Sequence, residues 1–265
     1  MVKIFCSVPM LKNYSMVLED IKEQIDSLNV NNYSVTYIMW GHEKDLAECN
    51  VPESSREYIN VTDFKLYEVP GLMHVHDSAQ KENDVSHYAY LHIKGVGHCM
   101  ISGVDKVKED RRNRIEKTFD IINTLDDIPN LDTNTPVDVY GWWIWSMGPQ
   151  WRTDLKRYHV SPNFWIANVD YLKKLPVPSK ENLSDKLSFL IEPGRVSKGP
   201  YTHPTKDVWR YNCENWIGCE SSAVFYSSKN NQYYCAELEE KFNPEFFKTE
   251  LSPVCASKFK KETSK

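Results

Sequence analysis

The chain has 265 residues, of which 41% are apolar, 26% charged and 12% aromatic. A chain of that length buries roughly 70–75% of its unfolded surface without needing staples. Lys and Arg number 32 against 37 Asp and Glu, giving a net charge of −5 and a pI near 5.9. No basic run able to track a phosphate backbone precedes the C-terminal tail, which argues against a nucleic-acid partner. Mean hydropathy is −0.56, and the apolar runs fall short of the ~20 residues that a membrane span needs. Peripheral membrane association is the most that remains, and collagen-like and disordered classes are excluded.

The N-terminal run Met1-Val-Lys-Ile-Phe-Cys6 begins directly on a strand-like pattern, so no signal peptide is expected. Residues 3–9 read as a buried β-strand. Ser15 then offers an N-cap hydroxyl to a helix whose apolar positions Val17, Leu18, Ile21, Ile25 and Leu28 recur at helical spacing. Tyr33 to Trp40 is rich in β-branched and aromatic residues and closes at Gly41, a second strand. Strand, helix, strand in this order predicts a βαβ unit, and hence a parallel sheet covered by helices.

A third strand is expected over 64–69, a helix over Leu72 to Asn83, and a fourth strand from Tyr88 to Ile93. A charged helix follows around Lys106–Leu125, then a loop over Ile128–Pro136 and a short strand from Val137 to Gly141. From Trp142 onward aromatics and prolines crowd the sequence. An irregular half with short strands is expected there, ending in a frayed, Lys- and Ser-rich tail from Ser257 to Lys265.

Ligands of open α/β sheets sit beyond the C-terminal strand ends. Tyr90-Leu-His-Ile-Lys-Gly95 lies at such an end. His92 and Lys94 alternate there, so both can face one ligand; Lys94 suits a phosphate as a point charge, and Gly95 admits close backbone approach. A solvated strand end with an incidental histidine is the alternative. Downstream, His159, Ser161 and Asn163 precede an apolar run, and Glu214 stands among aromatic residues. A partly desolvated carboxylate of this kind serves as a general base or orients a hydroxyl, unless it is an ordinary salt-bridge partner.

Other chemistries find less support. His74-Val-His76-Asp77 lacks the further ligands of a metallohydrolase run, and residues two apart on a helix face apart. No nucleophile elbow, phosphate-binding P-loop or dinucleotide fingerprint occurs. Asp126, Asp127 and Asp138 do not form a DxD triplet, and the first two read as turn residues. The seven cysteines (Cys6, Cys49, Cys99, Cys213, Cys219, Cys235, Cys255) are odd in number, with no CxxC pair. Reduced thiols in a cytoplasmic protein are expected, without a metal site.

Four segments resemble, in order and spacing, a family of glycosyltransferases of bacteria and large viruses: Tyr67-Glu-Val-Pro-Gly-Leu72, Tyr90-Leu-His-Ile-Lys-Gly95, His159-Val-Ser-Pro-Asn-Phe-Trp-Ile-Ala167 and Glu214-Asn-Trp-Ile217. The family reads roughly YExPTL, YLHTKG, HFSGNFWWA and ExWI, and the likeness covers about residues 1–218. Ile93 departs from the family's Thr, Ile166 from its second Trp and Pro162 from its Gly. Proline donates no N–H, so the last departure bears on backbone approach to a sugar and favours a binding-only relative.

The resemblance implies a GT-A-like (Rossmann-like) α/β fold, with a mixed, mostly parallel sheet flanked by helices. A single domain over 1–256 would comprise a nucleotide-sugar half (1–125) and an acceptor half (126–256). It implies a UDP- or GDP-sugar donor and a glycan acceptor as partners, with manganese or magnesium left open for want of a DxD motif. His92, Lys94, Gly95, Arg152 and Arg210 would bind the donor, with Lys94 and Glu214 as catalytic groups. His159, Ser161 and Asn163 would bind sugar hydroxyls, and Trp165 or Trp216 would face a pyranose ring. A non-catalytic glycan- or nucleotide-binding module and a metal-dependent hydrolase are the rival readings.

Overall fold

In a computed structural model, the structure describes residues 2–12, 14–27, 33–66, 68–93, 137–146, 158–179, 182, 213–214, 216–220, 223–227 and 232–234. The expected helix at 106–125, the loop at 128–136 and the tail at 257–265 lie outside the described residues.

The first strand, β1 (Val2–Pro9), has neighbours on both sides and both faces covered. That explains its continuous apolar run, the mark of a central parallel strand. Helix α1 (Tyr14–Asp26) buries Val17, Leu18, Ile21 and Ile25 and leads to β2 (Tyr33–Trp40), parallel to β1. Ser15 sits inside the helix and not at its cap, because the helical turn begins one residue earlier, at Tyr14.

The third strand differs from expectation. It is β3 (Arg56–Ile59), parallel to β2, whereas 64–66 form a 3-10 turn. Only Trp40, Met39, Ile38 and Tyr37 pair with it, so a short polar edge strand replaces the longer apolar one. Helix α2 (Val69–Lys81) starts three residues earlier than the apolar spacing suggests, because Pro70 in its first turn fits the missing N–H and fixed φ of a helix start. Strand β4 (His87–His92) returns to pair with the other side of β1.

The C-terminal half is more regular than its composition suggests. Strand β5 (Val139–Ser146) and the eleven-residue β6 (Tyr158–Asn168) continue the same sheet, followed by the one-turn helix α3 (Val169–Leu172), β7 (Phe225–Ser227) and β8 (Gln232–Tyr234). The strand order is β3-β2-β1-β4-β6-β5-β7-β8. The first four strands run parallel; β6 is antiparallel to β4 and β5, β7 is parallel to β5 and β8 closes antiparallel. The fold is therefore α/β, a mixed sheet flanked by helices.

Strand alternation sends residues to two cores. Phe5, Tyr88, Tyr90, Val139 and Trp165 pack under α2 and α3 with Leu72, Val75, Tyr171 and Trp216. Ile4, Cys6, Val8, Leu91 and Ile166 pack on the opposite face under α1. Among the described residues, no helix is long and apolar enough to cross a membrane.

Candidate functional site

The chain runs outward from β1 through β2 to β3, then crosses back to β4 on the other side of β1. Such a reversal opens a crevice beyond the C-terminal ends of the two central strands. Ser7 and His92 are register partners there, one on each strand. Both lie on the α2 face of the sheet, as the alternation from Phe5 and Tyr90 requires.

The head of α2 reaches this rim at Glu68. Its Oε1 stands 3.6 Å from His92 Nε2, and the exposed fractions of the two side chains are 19% and 11%. The imidazole is stacked beside Tyr90 and meets the edge of Phe164 at 5.0 Å. Close approach of α2 depends on Gly71, where a Cβ would fall 2.3 Å from Ser7 Oγ. Trp40 Nε1 donates to that same hydroxyl oxygen at 3.2 Å.

Strand β6 supplies the next group through an irregularity. Gly141 pairs with Trp165 and Trp143 with Ser161, so residues 162–164 stand opposite the single residue Trp142. Pairing with β4 ends at Trp165. A bulge of this kind leaves ladder positions unpaired and re-aims a side chain. Pro162 therefore occupies a place where a missing N–H costs nothing, and Asn163 adopts φ +68°, a left-handed conformation that asparagine tolerates better than most residues. The Asn163 amide then donates to Glu68 Oε2 and accepts from Trp165 Nε1 at 3.0 Å. On the far side of the bulge, Ser227 Oγ accepts from Ile144 N at 3.2 Å and donates to Trp142 O.

A second acid–base pair stands at the start of β6. His159 Nε2 and Glu214 Oε2 are 2.9 Å apart, with side chains 10% and 18% exposed. The turn carrying Glu214 is pressed onto the strand at Gly218, where a Cβ would lie 2.0 Å from the Tyr158 carbonyl oxygen. Cys213 links the two pairs. Its thiol is fully buried, and burial first, then the charge of Glu68 and of Glu214, pushes its pKa well above the ordinary thiol value. Among the described residues, no three His, Cys, Asp or Glu side chains are grouped to hold a metal ion.

Residues from all four sequence segments thus meet at one rim: Glu68, His92, Asn163 with His159, and Glu214. Two roles expected from the sequence are corrected. Trp165 and Trp216 are both fully buried, Trp165 stacked on Tyr90 at 5.2 Å and Trp216 against it at 6.2 Å, so neither offers a ring face to a sugar. Asn163 is likewise 0% exposed, its amide already engaged, so it orders the site and does not bind a sugar hydroxyl in this conformation. Lys94, Gly95, Arg152 and Arg210 lie outside the described residues, as does the side chain of Ser161.

His74 and His76 do face apart: the first approaches Glu57 at 3.4 Å and the second Leu175 O at 3.3 Å. Asp138 accepts from Val224 N at 2.9 Å, a structural tie of β5. Cys6, Cys49, Cys213 and Cys219 are free thiols. The sequence offered no role for Glu68, although it lies in the first quoted segment, nor for Ser7, and it marked Cys213 only as one of seven reduced thiols. Polar character inside the otherwise apolar β1 was the available signal for Ser7.

No family model matches the chain, and no curated protein matches it. Among solved structures it is similar to a crystal structure of an active-site mutant of LgtC, with TM-score 0.38 and 10% identity over 72% of this chain. The likeness takes in 66% of that structure's chain.

Proposed function

We propose that the protein is a glycosyltransferase, moving a sugar from a nucleoside-diphosphate donor to a hydroxyl of a glycan acceptor. The observation that carries this reading is the placement of two histidine–carboxylate pairs, 3.6 and 2.9 Å across, at the rim where the sheet reverses. Transfer from a nucleoside diphosphate has two charge problems. Negative charge grows on the departing diphosphate, and the attacking hydroxyl must lose a proton. Two separate pairs, one on the central strand β4 and one on β6, match two separate tasks.

On the donor side His92 meets the diphosphate, with Lys94, Arg152 and Arg210 as further cations and Gly95 allowing close approach; fixed positive groups act where charge develops. On the acceptor side Glu214 accepts the hydroxyl proton, and His159 beside it stabilises the carboxylate before transfer and shares the proton after it. In an inverting displacement the acceptor oxygen bonds to the anomeric carbon as the bond from that carbon to the diphosphate oxygen breaks. The electron pair leaves with the diphosphate. Trp143, 37% exposed and opposite Ser161 in the register, takes the sugar-stacking part first expected of Trp165 and Trp216. Whether manganese or magnesium assists the departing diphosphate is left to the experiment that follows.

A panel of UDP- and GDP-sugars, each with and without manganese, tests the donor by thermal shift. Binding at 100 times the dissociation constant adds about 2.7 kcal/mol to the folded state. Glu214→Gln should leave that shift in place and slow turnover about 10²–10⁴-fold. Turnover at the wild-type rate would remove Glu214 as the base. Donor binding without any product from the wild type would turn the reading to a binding module. Pro162, the departure that favoured such a module, stands in a bulge where the ladder pairing is interrupted and a backbone N–H is not called for.

A further inference from the structure

Glu68 has no place in the reaction as described, yet the rim is built around it. Its carboxylate is divided: Oε2 is held by the Asn163 amide, which leaves Oε1 turned to His92 at 3.6 Å. The holding amide is itself fixed by Trp165 Nε1 and by the left-handed turn of the β6 bulge. The backbone of Glu68 opens α2, and its carbonyl accepts the first helical bond, from Leu72 N at 3.0 Å. A carboxylate secured at one oxygen and offered to an imidazole by the other is arranged to set the charge and direction of that imidazole.

We propose that Glu68 is a positioning residue that keeps His92 protonated and aimed at the donor diphosphate, and that the Asn163 bulge exists to hold Glu68 in place. This rests on the glycosyltransferase reading for the identity of the ligand, and on the structure alone for the clamp. Among the described residues, the groups placed around His92 are consistent in sign with the proposal. Glu68 comes from α2, Ser7 from β1, Tyr90 from its own strand and Phe164 from β6, and Asn163 of β6 holds Glu68. Cys213, whose buried thiol stays protonated, lies behind Glu68. Of these only Glu68 carries a charge at neutral pH. An opposite charge at this range moves a titration by about one to three pH units, so the clamp extends the cationic form of His92 toward neutral pH.

The test has two readouts on the full chain. NMR titration of the His92 imidazole, without any nucleotide, reads the clamp directly. Glu68→Gln should lower the midpoint by about one pH unit, and Asn163→Gly, which keeps the left-handed backbone and removes the amide, should lower it by less. An unchanged midpoint in both folded variants overturns the proposal. Calorimetry with UDP and GDP as probes reads the consequence. Wild type and Glu68→Gln should bind alike at a pH below both measured midpoints, and the variant about tenfold more weakly above both, in step with the midpoint shift. Tighter binding by Glu68→Gln at every pH would make Glu68 a repulsive charge and overturn the proposal. If wild type binds neither probe while the midpoint moves as expected, the clamp stands and the donor reading falls.

Discussion

Glu82→Gln probes how the helix that delivers Glu68 is locked to the sheet. Glu82 follows the last turn of α2. Its Oε2 accepts from Lys3 Nζ at 2.5 Å and from the Tyr88 hydroxyl at 3.0 Å; its Oε1 accepts the backbone N–H groups of Asn83, Asp84 and Val85 at 3.1, 2.9 and 3.2 Å. The Lys3 hydrogen bond first, and the Asp84 N–H next, hold the carboxyl down to about 2 from its ordinary 4.5. A carboxyl moved that far contributes ~3.4 kcal/mol at neutral pH. The Glu82 side chain is only 7% exposed, but Lys3 is 37% exposed. Solvent therefore screens the pair, and about 2 kcal/mol is the expected share.

Because the folded carboxyl titrates below the unfolded one, this stability is fully present above pH 4.5 and is lost as the pH falls toward 2. Thermal and urea unfolding of the wild type and Glu82→Gln at pH 7 and pH 3 measure it. The expected gap at pH 7 is about 2 kcal/mol, roughly 4–8 °C in midpoint for a chain of this size, shrinking to under half at pH 3. A gap of equal size at both values would refute the charge argument and leave packing as the cause. No gap at pH 7 would refute the lock itself.

Gly71→Ala should destabilise the protein by about 1–3 kcal/mol, since its Cβ would lie 2.3 Å from Ser7 Oγ and 2.6 Å from Ser7 Cβ. Adding Ser7→Gly should recover part of that loss in a double-mutant cycle, and purely additive effects would count against the contact. Cys6 and Cys213 should stay silent to a thiol reagent at pH 8 until the chain unfolds, because burial pushes both thiols above the range in which thiolate forms. Reaction of either in the folded protein, read by mass spectrometry, would contradict the buried position of that strand or turn.

Where the sequence carried a periodic signal, the structure follows it closely. Tyr33–Trp40 is a strand to the residue, and the helix after β1 buries Val17, Leu18, Ile21 and Ile25 of the positions its spacing marks, Leu28 lying outside the described residues. These elements answer to local physics: a side-chain period, a turn residue, an apolar face. Strand β3 escaped notice because Arg56–Ile59 sits at the sheet edge, where only a few residues pair and no apolar stripe is needed. Strand β6 was masked for another reason. Pro162 and three polar residues interrupt it, and only the bulge explains how they belong to one strand.

The candidate site shows the same division. His92, His159 and Glu214 were legible as residue types set beside a strand end or among aromatics, in three of the four segments that were legible as a series. That His92 would meet Glu68 across a helix start, that Asn163 would serve Glu68 and not a ligand, and that Trp165 and Trp216 would vanish into the core were decided by tertiary structure. The sequence by itself determined the strongly periodic elements β1, α1, β2 and β4, because helical and strand periods are written along the chain. Which side chains face one another at the rim depends on the order in which strands enter the sheet and on one left-handed residue. Those are relations between distant parts of the chain, and no local pattern encodes them.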